Sequence, residues 1–295
     1  MRHSIQRSGV QYRRRRTRWP RTMRKVREEF AGMTEPTSAQ RDAVNPATMI
    51  GRVARVLDGF LGTSYEEQRL TDIARRSGLP KATVSRIVTE LVDQHFLERS
   101  GTSIRLGVRF FELGQHAVRP QELRRLAMAR MINLRNKTGR TVHLAVLDGS
   151  DVIYLAVLDG PDPLPLASRV GGRLPAHATA VGKALLACAE PHVVDGLLAT
   201  SPRLLGPRTI VDADAMQSEL AAIRRDGVAF EREESGPGIA CVAAPVHLGD
   251  GRAIAALSVS ARSEHAMPLG LSHAVRTTAD AVGRDAALSP VFRTC

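Results

Sequence analysis

A stretch of twenty residues, Leu70 to Thr89, limits what this chain can fold into more than any other part of it: Leu-Thr-Asp-Ile-Ala-Arg-Arg-Ser-Gly-Leu-Pro-Lys-Ala-Thr-Val-Ser-Arg-Ile-Val-Thr. Ile73 and Ala74 fall on the inner face of a short first helix, and a side chain as small as Ala74 lets a second helix cross close by. Gly78 stands where the chain must reverse, a place that favours a residue able to take φ > 0. Pro80 belongs to the first turn of the next helix, where its missing N–H costs nothing. Val84, Ile87, Val88 and Leu91 then follow i, i+3, i+4, i+7 and make a buried stripe. The other face carries Lys81, Ala82, Ser85, Arg86 and Thr89, groups suited to base edges and phosphates in a major groove. A plain helical hairpin with a solvated polar face has the same spacing, so the segment C-terminal to it bears on the choice.

That segment is His95-Phe-Leu-Glu-Arg-Ser100, Gly101-Thr102 and Ser103-Ile-Arg-Leu-Gly107. It reads as a short β-hairpin with a glycine turn. Phe96, Ile104 and Leu106 are expected to pack inward, with Arg99 and Arg105 pointing out toward a sugar-phosphate backbone. A helix-turn-helix joined to such a hairpin is a winged helix. Its candidate DNA-contacting residues are Thr71, Lys81, Ala82, Thr83, Ser85, Arg86, Thr89, Arg99 and Arg105.

The formal charge of +12 suits a nucleic-acid partner only if it sits on the folded part. It does not: eleven Arg and Lys but only Glu28 and Glu29 precede Met33, so nine of the twelve net charges lie there. The run Arg13 to Arg16, with Arg18, Arg21, Arg24, Lys25 and Arg27, has few apolar partners and is expected to be disordered. Three readings stay open for residues 1–32: an arm that tracks phosphates, translated upstream sequence with Met33 as the true start, or an organelle transit peptide of poor amphipathic spacing. No apolar run approaches the ~20 residues of a spanning helix, so no membrane contact is expected. Cys188, Cys241 and Cys295 form no metal-ligand cluster and no paired framework, which fits a reducing cytoplasm.

A helix is expected from Pro46 to about Leu61, with Ile50, Val53, Ala54, Leu57 and Phe60 or Leu61 on one face and Gly62 ending it. A boundary falls near Val118-Arg119-Pro120, and a helix with Leu123, Leu126, Ala127, Met131 and Leu134 inside runs from Gln121 to Lys137. Beyond Gly139 the pattern becomes mixed. Strands are expected over 141–147, 152–158, 230–234, 239–246 and 253–260, and helices over 179–189, 212–225 and 268–287, with Asp212 or Asp214 as a cap. Hairpins and irregular alternation indicate an α+β domain on a largely antiparallel sheet. The expected divisions are a basic tail at 1–45, a winged helix-turn-helix at 46–110, a linker helix at 111–138 and a ligand domain at 139–290.

Catalytic chemistry is mostly absent. Gly182-Lys183 fails as a phosphate loop, because Ala184 replaces Ser or Thr and His177 stands where the earlier glycine belongs. The histidines lack metal-ligand spacing, and no cofactor motif is present. Glu233 and Glu234, adjacent on a strand, would point to opposite faces. Two stretches stand out. Val170 to Lys183 interleaves small residues with His177, Thr179 and Lys183, and its helix amides could face an anion; a tightly packed helix start with His177 as a core or cap residue explains it equally well. Glu231 to Pro245 places a Ser-Gly-Pro-Gly loop before a strand carrying Cys241. That cysteine as a nucleophile needs a base that the sequence does not supply, so it reads as a small hydrophobe.

The order of parts resembles the IclR family of bacterial transcriptional regulators over Pro46 to about Ala287. The stretches that carry it are Leu70 to Leu97 with Ile104-Arg-Leu-Gly107, Gly171 to Ala187, and Gly227 to Ser260. Leu174-Pro-Ala-His-Ala-Thr-Ala-Val-Gly-Lys-Ala-Leu-Leu186 is the most specific of them. The resemblance implies a winged helix, a linker helix and a GAF-like effector domain in a bacterial cytoplasmic protein. It further implies a dimer or dimer of dimers on palindromic double-stranded operator DNA, and a small effector, a carboxylate or aromatic catabolite. It places the effector pocket at Ala180, Val181, Glu231, Ile239, Cys241, Ser258 and Ser260. Ser258 and Ser260 are two apart and so share one side of a strand. Ile104 stands where the family's wing usually carries an aromatic, and Val181 where Leu or Ala is usual. The competing readings are a small-metabolite enzyme using Cys241 and a ligand-sensing module without DNA binding.

Overall fold

The computed structural model describes residues 48–61, 67–162, 164, 166–200, 202–264 and 269–293. The basic tail, Met33, Pro46, Gly62, Pro165, Pro268 and Cys295 lie outside them.

The N-terminal unit opens with α1 (Met49–Asp58), capped by Thr48, whose Oγ1 accepts from the Gly51 amide at 3.0 Å. Its inner face differs from the expected one. Val53, Val56, Leu57 and Phe60 turn to the core, while Ile50 is 78% exposed. The stripe thus begins one turn later, at Val53, and keeps i, i+3, i+4, i+7 spacing from there. A two-residue strand β1 (Gln68–Arg69) leads into α2 (Leu70–Ser77). Gly78 turns the chain in the left-handed region (φ 64°), and α3 (Lys81–Asp93) comes next with Pro80 as its cap. Ile73, Val84, Ile87 and Val88 are buried together with Val56, Leu97 and Ile104, and Leu91 packs at their edge.

The wing is β2 (Leu97–Ser100) and β3 (Ser103–Leu106), turned at Gly101. It is three-stranded, because β1 adds to β3 with Gln68 opposite Ile104. Leu97 and Ile104 are its inward residues. Leu106, expected inside, is half-exposed, since it ends β3 past the edge of the core. Phe96 instead packs on Phe110, with ring centroids 5.3 Å apart, and carries the Arg109 guanidinium on its face.

The connection is two helices, α4 (Val108–Gln115) and α5 (Val118–Thr138). The boundary falls at Val118, within the expected Val118-Arg119-Pro120, and the helix expected from Gln121 starts three residues earlier. A proline in the first turn sits where the N–H has no intrahelical partner, so it does not stop the helix. Leu123, Ala127, Met131 and Leu134 of α5 are buried, and Gly139 ends it at φ 63°.

The C-terminal unit is a six-stranded antiparallel sheet in the order β6-β5-β4-β9-β8-β7. Its strands are β4 (Thr141–Asp148), β5 (Asp151–Leu158), β6 (Arg173–Pro175), β7 (Ala229–Arg232), β8 (Ile239–His247) and β9 (Ala253–Arg262). The chain's last helix, α9 (Leu269–Leu288), joins α5 on one face over Val142, Leu144, Val242, Leu257 and Val259. The other face is covered by α6 (Ala180–Leu186), α7 (Pro191–Ala199) and α8 (Ala213–Asp226). Of the two candidate caps, Asp212 serves α8, accepting from the Ala215 amide at 2.8 Å. Strand β7 ends at Arg232, short of the expected Glu234, because Glu233 takes a left-handed φ of 59° and turns the chain away from the sheet.

Candidate functional site

The exposed side of α3 carries Lys81, Ala82, Arg86 and Thr89, with Ser85 and Thr83 half-buried at its margin. Thr71 is exposed at the start of α2. The Thr89 hydroxyl donates to the Ser85 carbonyl at 3.0 Å, which leaves its lone pairs outward. Arg99 is exposed on the wing. Arg105 projects from the opposite strand but is held by Glu98, with N···O distances of 2.7 and 2.8 Å. The guanidinium keeps further N–H donors for a phosphate. The face therefore offers short polar groups and cations on a rigid helix, with the hairpin beside it.

The second site lies on the sheet face under α6. Strand register builds it. Glu231 on β7 stands opposite Cys241 on β8, Cys241 opposite Ser260 on β9, and Ser260 opposite Thr141 on β4. In the next row Ser258 stands opposite His143. Because alternate residues share a face, these polar groups turn together into an otherwise apolar interior. All of them but Thr141 line a cavity with about 410 Å³ of empty space, its open mouth included. Ala180, Val181, Glu231, Ile239, Cys241, Ser258 and Ser260, which the family resemblance groups together, all border it.

Sequence reasoning missed His143, Ser168, Tyr154 and Ser235 on the same walls, and named Thr179 only within the helix-start stretch. His143 is the hub. Its Nε2 meets Ser168 Oγ at 2.8 Å, and its Nδ1 lies 3.3 and 3.5 Å from the Ser258 and Ser260 hydroxyls. Burial pushes it down to about 4, so it is a neutral imidazole at neutral pH. The signal that pointed to it is positional: β4 is flanked by β5 and β9 and covered on both faces, so a polar residue there needs polar company.

Glu231 is 1% exposed. Its Oε1 accepts from the Glu234 amide (2.8 Å), the Ser235 amide (3.0 Å) and the Ser235 hydroxyl (3.1 Å), which pins the β7–β8 loop. Burial raises its carboxyl above the ordinary range, while the Ser235 amide, the Cys241 thiol, the Glu234 amide and the Ser235 hydroxyl pull it back. The Cys241 thiol sits 3.0 Å from Ser260 Oγ, and burial beside Glu231 pushes it well up. A thiol so disposed stays protonated and is a poor nucleophile.

Lys183 and His177 do not reach the cavity. Lys183 is wholly buried, with Nζ 2.7 Å from Glu234 and 2.8 Å from Glu219. His177 Nε2 meets the Arg203 carbonyl at 2.9 Å, and burial lowers its ring below the ordinary value, consistent with a core residue. At the start of α6 the Gly182 amide is taken by Thr179 Oγ1 at 3.0 Å.

Two family models match the chain: "IclR helix-turn-helix domain" over residues 50–101 and "Bacterial transcriptional regulator IclR C-terminal" over residues 115–284. HTH-type transcriptional regulator XynR of Escherichia coli is 34% identical, over 72% of this chain and 84% of that protein. Transcriptional repressor IclR of the same organism is 29% identical, over 77% and 88%. Among solved structures, an IclR homolog from Microbacterium hydrocarbonoxydans complexed with 4-hydroxybenzoate is similar with a TM-score of 0.74. It is 32% identical, over 81% of this chain and 98% of that one.

Proposed function

Because the chain belongs to the IclR family of bacterial transcriptional regulators, we propose that it binds operator DNA through α3 and the wing and is controlled by a small effector in the cavity under α6. Its relatives are named regulators and repressors, not enzymes. The observation that carries the reading is the pairing, in one chain, of an exposed polar and cationic helix face with a separate polar-lined cavity in an apolar interior. The division of labour follows the expected boundaries, with DNA contacts assigned to 46–110 and effector contacts to 139–290.

In this reading Thr71, Lys81, Ala82, Thr83, Ser85, Arg86 and Thr89 meet the major groove, and Arg99 and Arg105 meet the backbone beside it. The protein acts on chromosomal DNA in the bacterial cytoplasm; among the described residues no helix is long and apolar enough to cross a membrane. Palindromic operators call for a homodimer or a dimer of dimers. Val108 and Phe111, i, i+3 on α4, support self-association, since both are exposed apolar side chains. The effector is a small catabolite of the carboxylate or aromatic class.

Arg86 is exposed and faces away from the Val84 and Ile87 stripe, so Arg86→Ala should fold as the wild type does. If Arg86 reads a guanine, operator affinity falls by about 1–3 kcal/mol and base preference relaxes at one position per half-site. A gel shift at fixed salt checks it; unchanged affinity and preference would remove Arg86 from the interface.

Removing the Ser258 and Ser260 hydroxyls should weaken effector binding by about 0.5–1.5 kcal/mol each. Operator binding without effector should persist, because the winged helix has its own core. Calorimetry on Ser258→Ala with Ser260→Ala, beside a gel shift, measures both. Wild-type effector affinity in that variant places the effector elsewhere.

A further inference from the structure

With the effector placed in the cavity under α6, as proposed, a carboxylate meets neutral donors and no cation. Those donors are the Ser168, Ser258 and Ser260 hydroxyls and the amides of Ala180 and Val181, which open α6 and so have no acceptor within it. Among the described residues that line the cavity there is no Lys or Arg, and Glu231 is the only carboxylate. Lys183 keeps its charge behind the wall, between Glu219 and Glu234. Glu233 turns away, its Oε1 accepting from the Gly238 amide and the Ser263 hydroxyl. A carboxylate effector beside an ionised Glu231 thus puts two negative charges in one buried space, and such a pair settles by holding one proton.

Four lining side chains titrate: His143, Tyr154, Glu231 and Cys241. Burial holds the Cys241 thiol and the Tyr154 phenol up, so both already carry their protons. His143 has hydroxyl partners on both ring nitrogens, and the burial that pushes it down to about 4 opposes a cation there. For Glu231 burial acts the other way and favours the protonated carboxyl. Its two oxygens also differ. Oε1 takes three donors from the β7–β8 loop, whereas Oε2 is buried with no hydrogen-bond partner. The Cys241 thiol, 3.0 Å from Ser260 Oγ, touches the carboxyl only as a weak S–H donor. A proton on Oε2 leaves the Oε1 bonds in place and turns an unpartnered acceptor into a donor. Resting on that placement of the effector, we propose that a carboxylate enters the cavity together with one proton from solvent, which Glu231 Oε2 takes up and donates to the incoming carboxylate. The bound state then holds one proton more than the free protein and free effector, so affinity falls by about tenfold per pH unit wherever Glu231 is ionised in the free protein.

The test is calorimetry on the full chain with benzoate, phenylacetate and lactate and with their uncharged amides. Each is titrated in phosphate and in Tris, whose different heats of ionisation count the protons exchanged. The wild type should take up about one proton per carboxylate bound and none per amide, and its affinity for the carboxylate should fall by about tenfold from about pH 7.5 to about pH 8.5. Glu231→Gln keeps an oxygen for the loop and presents an amide N–H where the Oε2 proton would stand. It should bind the same carboxylate without proton uptake, with an affinity flat over that range and about tenfold or more above the wild type at about pH 8.5. His143→Gln should still take up the proton. No uptake in the wild type, uptake that persists in Glu231→Gln, or a Glu231→Gln affinity no higher than the wild type at the upper pH overturns the role of Glu231. Where Ser258→Ala with Ser260→Ala still weakens binding, the cavity stands as the effector site in each of those cases. Binding indifferent to that double variant, or no binding of the three carboxylates to either the wild type or Glu231→Gln, overturns the cavity assignment and the proton uptake with it.

Discussion

Lys183→Met is expected to destabilise the C-terminal unit by about 3–5 kcal/mol, the loss expected when one partner of a buried ion pair is removed. Lys183 is wholly buried on α6, and its Nζ is 2.7 Å from Glu234 and 2.8 Å from Glu219. Glu219 is about a third exposed (31%), so water can replace the lysine there and that pair adds little. Glu234 dominates, because its carboxylate is buried beside Glu231 and has nowhere to turn. Burial raises the Glu234 carboxyl even in the wild type, against the pull of Lys183. Without the lysine it rises further. A carboxyl raised in the folded state costs stability when it must stay ionised, and that cost fades as pH falls toward the ordinary carboxylate range near about 4. The stability gap between Lys183→Met and wild type should therefore narrow in acid. Adding Glu234→Gln to Lys183→Met should recover most of the loss at neutral pH, since the uncompensated charge is gone. Urea midpoints across pH measure this; a gap that is flat with pH, or no recovery in the double variant, would place the lysine's role in packing instead.

Gly182→Ala should cost about 3 kcal/mol or more. A Cβ at Gly182 would lie 2.1 Å from the Ala176 carbonyl oxygen and 2.4 Å from the Ala176 Cα. Both are backbone atoms, so no side chain can swing aside. The helix α6 would have to leave the turn at Ala176–Ala178 against which it packs. Because Ala180 and Val181 open the same helix and border the cavity, the movement should also weaken effector binding. The winged helix has a separate core and should keep its affinity for DNA below the melting range of the variant. Thermal unfolding within about 1 kcal/mol of wild type would show that α6 slides at little cost.

How much of this can be read without coordinates depends on how far apart the partners lie. The helix-turn-helix is legible because its spacing is local: Ile73, Gly78, Val84, Ile87 and Val88 occupy the roles their sequence positions assign. Ser258 and Ser260 are legible as a pair because strand period fixes their common side. Strand β1, two residues long, carries no periodicity to read, and β6 with three carries scarcely more. Pro120 locates the boundary but not the first helical residue, because a proline is tolerated anywhere in the first turn. The meeting of Glu231, Cys241 and Ser260 in one row depends on sheet register between distant strands, which the family resemblance supplied and residue spacing could not. Lys183 and Glu234 are separated by fifty-one positions, so nothing local marks that lysine as buried. His143 sits in a regular alternation with Val142 and Leu144, and only its place in the interior of the sheet reveals that its side is enclosed.

Recovery of sheared host genomic DNA on the immobilised full-length protein at fixed salt, with sequencing of the bound fraction, tests the central claim most directly. Sequence-specific binding through α3 and the wing predicts a small number of enriched sites that share a palindromic motif, lost or blurred at one position per half-site in Arg86→Ala. Even recovery across the genome, rising and falling with salt alone, would contradict it and leave only the phosphate attraction of a basic chain.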